Sequence, residues 1–266
     1  MKRIWRAAIL AGSCLAAPAM AGEAVLYAPE PAWVVAPDMA AALQPGGPAE
    51  RLLDWQQRID GSTVHAHFQR AVRIENPQAL MQENTLSFPW LPDKGDLTVH
   101  RLDLHRGDEV IDLLAQGAQF EVIRREEGLE QRLLDGELTA TLSVPGLRVG
   151  DVLRYAITIS SDDQALGDEV QVTQFLPAAP WQVGASRAIV SWPQGAEMFW
   201  AAEARAGVAA PVSRGGYQWL EVALPLAEPD EMPGDSPARY RLPAVLRVGS
   251  FASWTELSAV MAPHFT

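Results

Sequence analysis

Apolar residues recur at every second position in short runs along most of this chain. Gly, Pro, Asn and Asp break the runs at intervals of about ten residues. Alternation with period two marks strands that bury one face. In RLLDWQQRIDGSTVHAHFQRAVRIEN, residues 51–76, Asp60-Gly61 separates two such runs and predicts a hairpin. Phe68, Val72 and Ile74 share one face of its second strand. His65, His67, Gln69 and Arg73 share the other, which reads as a solvated face. Further strands are predicted in NTLSFPW, LTVHRLDL, EVIDLL and AQFEVIRR. LEQRLLDGELTATLSV fits helix or strand by periodicity, and Asp135-Gly136 punctuates it as a turn. In VLRYAITIS the buried set is Leu153, Tyr155, Ile157 and Ile159, alternating with Val152, Arg154, Ala156 and Thr158.

Beyond the acidic loop SSDDQALGDE, strands are predicted in VQVTQFLP, SRAIVSWP, EMFWAA, YQWLEVALP and PAVLRVGS. The last follows an irregular acidic connection that carries four prolines, EPDEMPGDSPARYRLPAV. The spacing predicts an all-β fold, a β-sandwich over residues 49–247. If it divides into two stacked sandwich subdomains, they would meet near 162–168. Residues 22–48 are rich in Ala and Pro and read as an extended lead-in.

The period changes to a helical one at the close, in GSFASWTELSAVMAPHFT. Ser253 and Glu256 make a capping box, in which each side chain satisfies the other residue's backbone N–H. Leu257, Val260 and Met261 then follow at helical spacing, so a short C-terminal helix is expected within 248–266. A helix this short is marginal unless its apolar side packs on something.

Composition changes the picture in three ways. Lys2, Arg3 and Arg6 precede a small apolar stretch from Ala7 to Ala17, and Ala19-Met20-Ala21 is an A-x-A site, so residues 1–21 read as a signal peptide. Export, most simply to a periplasm, is the expected localisation. The residues before Cys14, Ala11-Gly12-Ser13, lack the large aliphatic that a lipidation site prefers, which argues against a lipoprotein. Cys14 is the sole cysteine, so the mature chain has no disulfide and no thiol nucleophile. Removing three basic residues leaves 18 against 33 acidic ones, a net charge of about −15 that repels phosphate backbones and argues against nucleic-acid partners. No other run is long and apolar enough for a transmembrane helix.

Candidate chemistry is sparse. His65 and His67 share a strand face, yet no third ligand accompanies them locally. The acidic loops at 162–169 and 228–235 lack the spaced D-x-D-x-D-G pattern of a calcium loop. There is no G-x-S-x-G elbow, P-loop or dinucleotide fingerprint. No catalytic, cofactor-binding or metal-binding residue is therefore assigned, and no cofactor is expected. Eight tryptophans remain after processing and offer an alternative, a free-standing glycan- or peptide-binding module. Trp90, Trp181 and Trp192, however, each stand beside a proline at a strand end, where large rings cap a core.

The chain resembles a family of exported bacterial proteins in which a β-rich domain of unknown function precedes a transglutaminase-like domain of papain-type fold. RLLDWQQRIDG is similar to the family's opening strand and turn, and VHRLDLHRGDEVIDLL to its second hairpin. LEQRLLDGELTATLSVPGLRVGDVLRYAIT is similar to its most recognisable run, with Arg154 in place of the usual Glu and Ile157 in place of an aromatic. FLPAAPWQVGASRAIVSWP and SFASWTELSAVMAPHF match the following segments, so the resemblance covers about residues 50 to 266. It implies that 248–266 opens the transglutaminase-like helical domain, whose Gly-Asp-Cys motif with His and Asp partners does acyl transfer or amide hydrolysis. None of those residues lies within 1–266, and His264 has no thiol to activate. The chain would then be the accessory half of a cysteine enzyme, partnered by that downstream domain and by a protein or cell-wall substrate. Phe251, Trp254 and Leu257 would make the interdomain contact, and Trp254 should be more exposed than the strand tryptophans.

Overall fold

The computed structural model describes residues 22–124 and 136–265, apart from 232, 234, 236 and 238–241. The expected signal peptide with Cys14, the turn at Asp135 and part of the acidic connection lie outside the described residues. Among the described residues fifteen strands build the body: β1 (Leu26–Tyr27), β2 (Glu50–Asp60), β3 (Thr63–Arg73), β4 (Thr85–Trp90), β5 (Leu97–Arg106), β6 (Glu109–Asp112), β7 (Glu121–Arg124), β8 (Leu138–Ser143), β9 (Val152–Asp162), β10 (Gln171–Phe175), β11 (Ala185–Pro193), β12 (Phe199–Ala202), β13 (Val212–Arg214), β14 (Tyr217–Ala223) and β15 (Val245–Gly249). Three α-helices among these residues accompany them: α1 (Met39–Ala42), α2 (Pro77–Glu83) and α3 (Trp254–Met261). The fold is mostly β and sandwich-like, with a short C-terminal helix, as the alternation predicts.

One nine-stranded sheet runs β1-β5-β9-β3-β2-β11-β14-β13, with β6 added against β5. The hairpin at Asp60-Gly61 forms as expected. Asp60 pairs with Thr63, and Gly61 at φ 65° supplies the left-handed residue that a two-residue turn needs. Two three-stranded sheets, β4-β8-β7 and β10-β15-β12, lie on the same face of the large sheet. Each closes its own sandwich.

The first core packs Leu102, Leu104, Leu153 and Tyr155 of the large sheet against Leu86, Phe88, Trp90 and Leu138. The second packs Ile59, Val190, Trp192 and Leu220 against Val172, Leu246 and Val248. Each fully buried aliphatic side chain contributes about 1.5–3 kcal/mol relative to exposure. Trp55 belongs to the second core and Phe68 to the first, and their rings lie 5.7 Å apart across the β2–β3 pair. The two lobes therefore share a sheet and touch through these rings. They cannot part at a linker without breaking the parallel pairing of β2 with β11.

The other face of the large sheet corrects the sequence reading. His67 and Gln69 are buried, 1% and 0% exposed, and not solvated. The lead-in roofs them. It is pinned by β1, which runs parallel to β5, and by α1, whose Ala42 packs on Leu52 and Ala71. Between these anchors the roof is held by polar contacts: Gln56 Nε2 donates to the Val35 carbonyl (2.7 Å), and Val35 N–H donates back to Gln56 Oε1 (2.9 Å). Arg187 grips Asp54 through two bonds of 3.0 and 3.1 Å and also donates to the Val35 carbonyl.

A helix the alternation does not reveal, α2, starts at Asn76, whose side chain accepts from Ala79 N–H, and carries Pro77 in its first turn. Arg70 clamps it to the sheet by bonding Glu83 and Glu50 together. Burial opposes the Arg70 charge, but the two carboxylates outweigh it and hold the guanidinium protonated.

Candidate functional site

The outer face of the β10-β15-β12 sheet and the helix beside it form an apolar groove. Alternation along QVTQF sends Val172 and Gln174 inward and leaves Phe175 outside, 60% exposed. On β12, Phe199 points out in the same way. The register places Gly249, the last residue of β15, between Gln171 and Phe199 at one end of the sheet, while Arg247 stands at mid-sheet between Thr173 and Ala201 and adds a cation to the groove lining. Leu242 and Phe251 also line the groove, together with Trp254 and Leu257 of α3. The groove has a volume of about 750 Å³.

The capping of α3 differs in one bond from its expected form. Ser253 Oγ accepts from Glu256 N–H at 3.3 Å, while the Glu256 carboxylate accepts from Ala252 N–H at 2.8 Å and not from Ser253. The helix buries none of its residues. The 3-10 turn that follows it, Ala262–Phe265, is tethered by His264, whose Nε2 donates to the Ala165 carbonyl at 3.0 Å. Trp254 is 83% exposed, whereas Trp90 and Trp192 are each 3% exposed.

The three residues singled out in the sequence, Phe251, Trp254 and Leu257, thus all line one groove. The sequence reading missed Phe175, Phe199 and Leu242. A signal for two of them was available: on a strand whose alternate residues enter a core, an aromatic out of phase faces solvent. Among the described residues Trp254 alone of the tryptophans is exposed, and the half-buried Trp200 of β12 lines the same groove.

His65 and His67 are not drawn into a ligand set. His67 Nδ1 lies 3.0 Å from Thr158 Oγ1, and its Nε2 lies 3.3 Å from Gln69 Nε2. His100 completes the row, with Nε2 2.7 Å from the same Thr158 hydroxyl and Nδ1 2.9 Å from the Ala28 carbonyl. The Ala28 carbonyl can only accept, so His100 donates from Nδ1 and accepts the Thr158 proton at Nε2. Thr158 must then accept from His67 Nδ1–H, leaving His67 Nε2 to accept from Gln69. Burial, followed by electrostatic repulsion from the neighbouring His100 imidazole, holds His67 down at about 4, against a weaker upward pull from Glu30.

Fold and groove together define a two-lobed β-sandwich with one exposed apolar face. The model of a domain of unknown function with a solved structure, DUF3857, matches residues 60–224, and the chain belongs to that family. Among solved structures it is similar to a candidate protease from Parabacteroides distasonis ATCC 8503, with a TM-score of 0.62 at 13% identity, over 80% of this chain and 42% of that one. It also matches an M1 zinc metallopeptidase from Deinococcus radiodurans, with a TM-score of 0.35 at 12% identity, over 74% of this chain and 41% of that one. The likeness of fold rests on the first alone. The chain spans less than half the length of either structure. No curated protein matches it. Among the described residues no helix is long and apolar enough to cross a membrane.

Proposed function

We propose that this chain is the non-catalytic N-terminal scaffold of an exported, transglutaminase-like cysteine enzyme, and that its groove seats the enzyme domain. The observation that carries the reading is the exposed apolar face of Phe175, Phe199, Phe251, Trp254 and Leu257. An apolar patch of this kind, on a chain whose two cores are already closed, marks an interaction surface. Two further points support it. The mature chain has no thiol, and the similar Parabacteroides structure, a candidate protease, is more than twice as long as the part that matches. A periplasmic location follows from the signal peptide read in residues 1–21.

Sequencing the reading frame beyond Thr266 tests the proposal directly. A Gly-Asp-Cys motif followed by His and Asp is expected, and a stop codon would sink it. The 22–266 chain, mixed with an amine donor and a glutamine substrate, should give no cross-linking, and turnover would overturn the assignment of a scaffold. In that chain Trp254→Ser should change the unfolding free energy measured in urea by less than about 0.5 kcal/mol, because the ring touches little. The same substitution in a longer chain should loosen the docked domain, seen as faster proteolysis between the two. Equal proteolysis of both long chains would place the contact elsewhere.

A further inference from the structure

Where the lead-in ends, the roofed face of the large sheet opens into a second cavity. It holds about 230 Å³ and lies among Gln44, Arg51, Arg73, His105, Gly107 and Gly150. The register explains why cations gather here. Arg73 of β3 and His105 of β5 both pair with Val152 of β9, so they stand on either side of it on one face. Neighbouring strands are about 4.8 Å apart, which sets the two Cα atoms roughly 10 Å from each other. Arg51 enters from β2 beneath the lead-in and is 4% exposed.

Three features mark a site with an absent counter-charge. Arg51 makes one side-chain hydrogen bond, from Nη1 to the Gln44 carbonyl at 2.8 Å. Among the described residues neither Arg51 nor Arg73 forms an ion pair, although Arg58, Arg70, Arg101, Arg106, Arg124, Arg187 and Arg205 all do. His105 Nε2 is buried and has no hydrogen-bond partner. A buried guanidinium without a carboxylate is costly unless something else neutralises it. Among the described residues no acidic side chain lines the cavity. Burial holds the His105 imidazole below its ordinary range, Asp103 pulling it up and Arg154 and Arg101 pushing it further down. That leaves the Nε2 position free to donate without adding a third full charge.

We propose that this cavity binds a small oxyanion, a phosphate or carboxylate group, held by the Arg51 and Arg73 guanidinium groups and by His105 Nε2–H. Guanidinium forks match both groups in geometry, and Arg51, Arg73 and His105 all line this one cavity. Gly107 and Gly150 at the rim carry no side chain, so the mouth stays open. The strongly acidic chain repels anions at a distance, which implies a weak, salt-sensitive affinity. The inference is independent of the groove and of any downstream domain.

Calorimetric titration of the mature chain with sodium phosphate, and separately with sodium acetate, against sodium chloride at equal ionic strength tests it. Saturable binding of one of them is expected, and the arm that binds identifies the group. Arg73→Gln should weaken that binding at least about tenfold. Arg51 is buried and its replacement could disturb folding, so the second readout is the His105 ring resonance in the unaltered protein. It should move on titration while that of His65 stays still. Absence of saturable binding in both arms would overturn the proposal, as would affinity unchanged by Arg73→Gln or a His105 signal that does not respond.

Discussion

Asp54→Ala is expected to cost about 3–5 kcal/mol of folding stability, the range for breaking a buried ion pair by deleting one partner. Asp54 is fully buried and accepts from Arg187 twice and from Gln56 once. Without it, the one carboxylate left to Arg187 among the described residues is a distant Glu221 at 3.6 Å. The damage should spread to the roof, because Arg187 and Gln56 are the groups that hold the Val35 carbonyl. Urea denaturation measures the loss, and limited proteolysis should find new cleavage between Ala28 and Pro48. Removing both charges, in Asp54→Ala with Arg187→Met, should recover much of the stability, since the orphaned guanidinium is the main penalty. A loss below about 1 kcal/mol for the single variant would show that the pair does not hold the roof.

The second large effect is a dependence on pH. His67 sits at about 4 in the folded chain against an ordinary value of 6.5, so the unfolded chain binds the extra proton first as pH falls. Its contribution is therefore fully present above about 6.5 and is lost progressively as pH drops towards 4. At 1.36 kcal/mol per unit the loss amounts to about 3 kcal/mol. The groups facing the ring are His100 on β5, Thr158 on β9, Gln69 on its own strand, and Glu30 and Trp33 from the lead-in. Comparing urea stabilities at pH 7.5 and 4.5 for the unaltered chain and for His67→Gln isolates the effect. The variant, lacking the titrating ring, should lose less on acidification by about 2.5 kcal/mol, since pH 4.5 stops short of the folded value. Equal losses in both would assign the acid sensitivity to other groups.

These two predictions concern the part of the molecule that was least legible in the sequence. The inner faces could be read directly. Leu153, Tyr155, Ile157 and Ile159 alternate cleanly, and the strands fall where alternation and turn residues place them. The outer face carries Asp54, Gln56, His67 and Gln69, each of a type that belongs in water. What covers them lies far along the chain: Val35 on Gln56 at a separation of 21, Glu30 on Gln69 at 39, Thr158 on His67 at 91 and Arg187 on Asp54 at 133. No local pattern encodes such partners. A polar residue buried in a satisfied network and one in water look the same along the chain.

The groove was half legible. Phe251, Trp254 and Leu257 stood out because an isolated capped helix needs something to pack on. Phe175, Phe199 and Gly249 became one surface only through the register of three strands distant in sequence. The cation cluster was not legible, since Arg51, Arg73 and His105 meet only after β2, β3, β9 and β5 lie side by side.

By itself, then, the order of residues determined the class of fold, most strand positions, the Asp60-Gly61 turn and the capped helix at the end. These depend on periodicity and on backbone preferences that act over a few positions. Tertiary structure alone decided that one sheet serves two sandwiches, that the lead-in becomes a roof, and that apolar and cationic residues from separate strands converge. Those outcomes depend on which strands pair, and pairing is set by the summed burial of faces far apart in the chain.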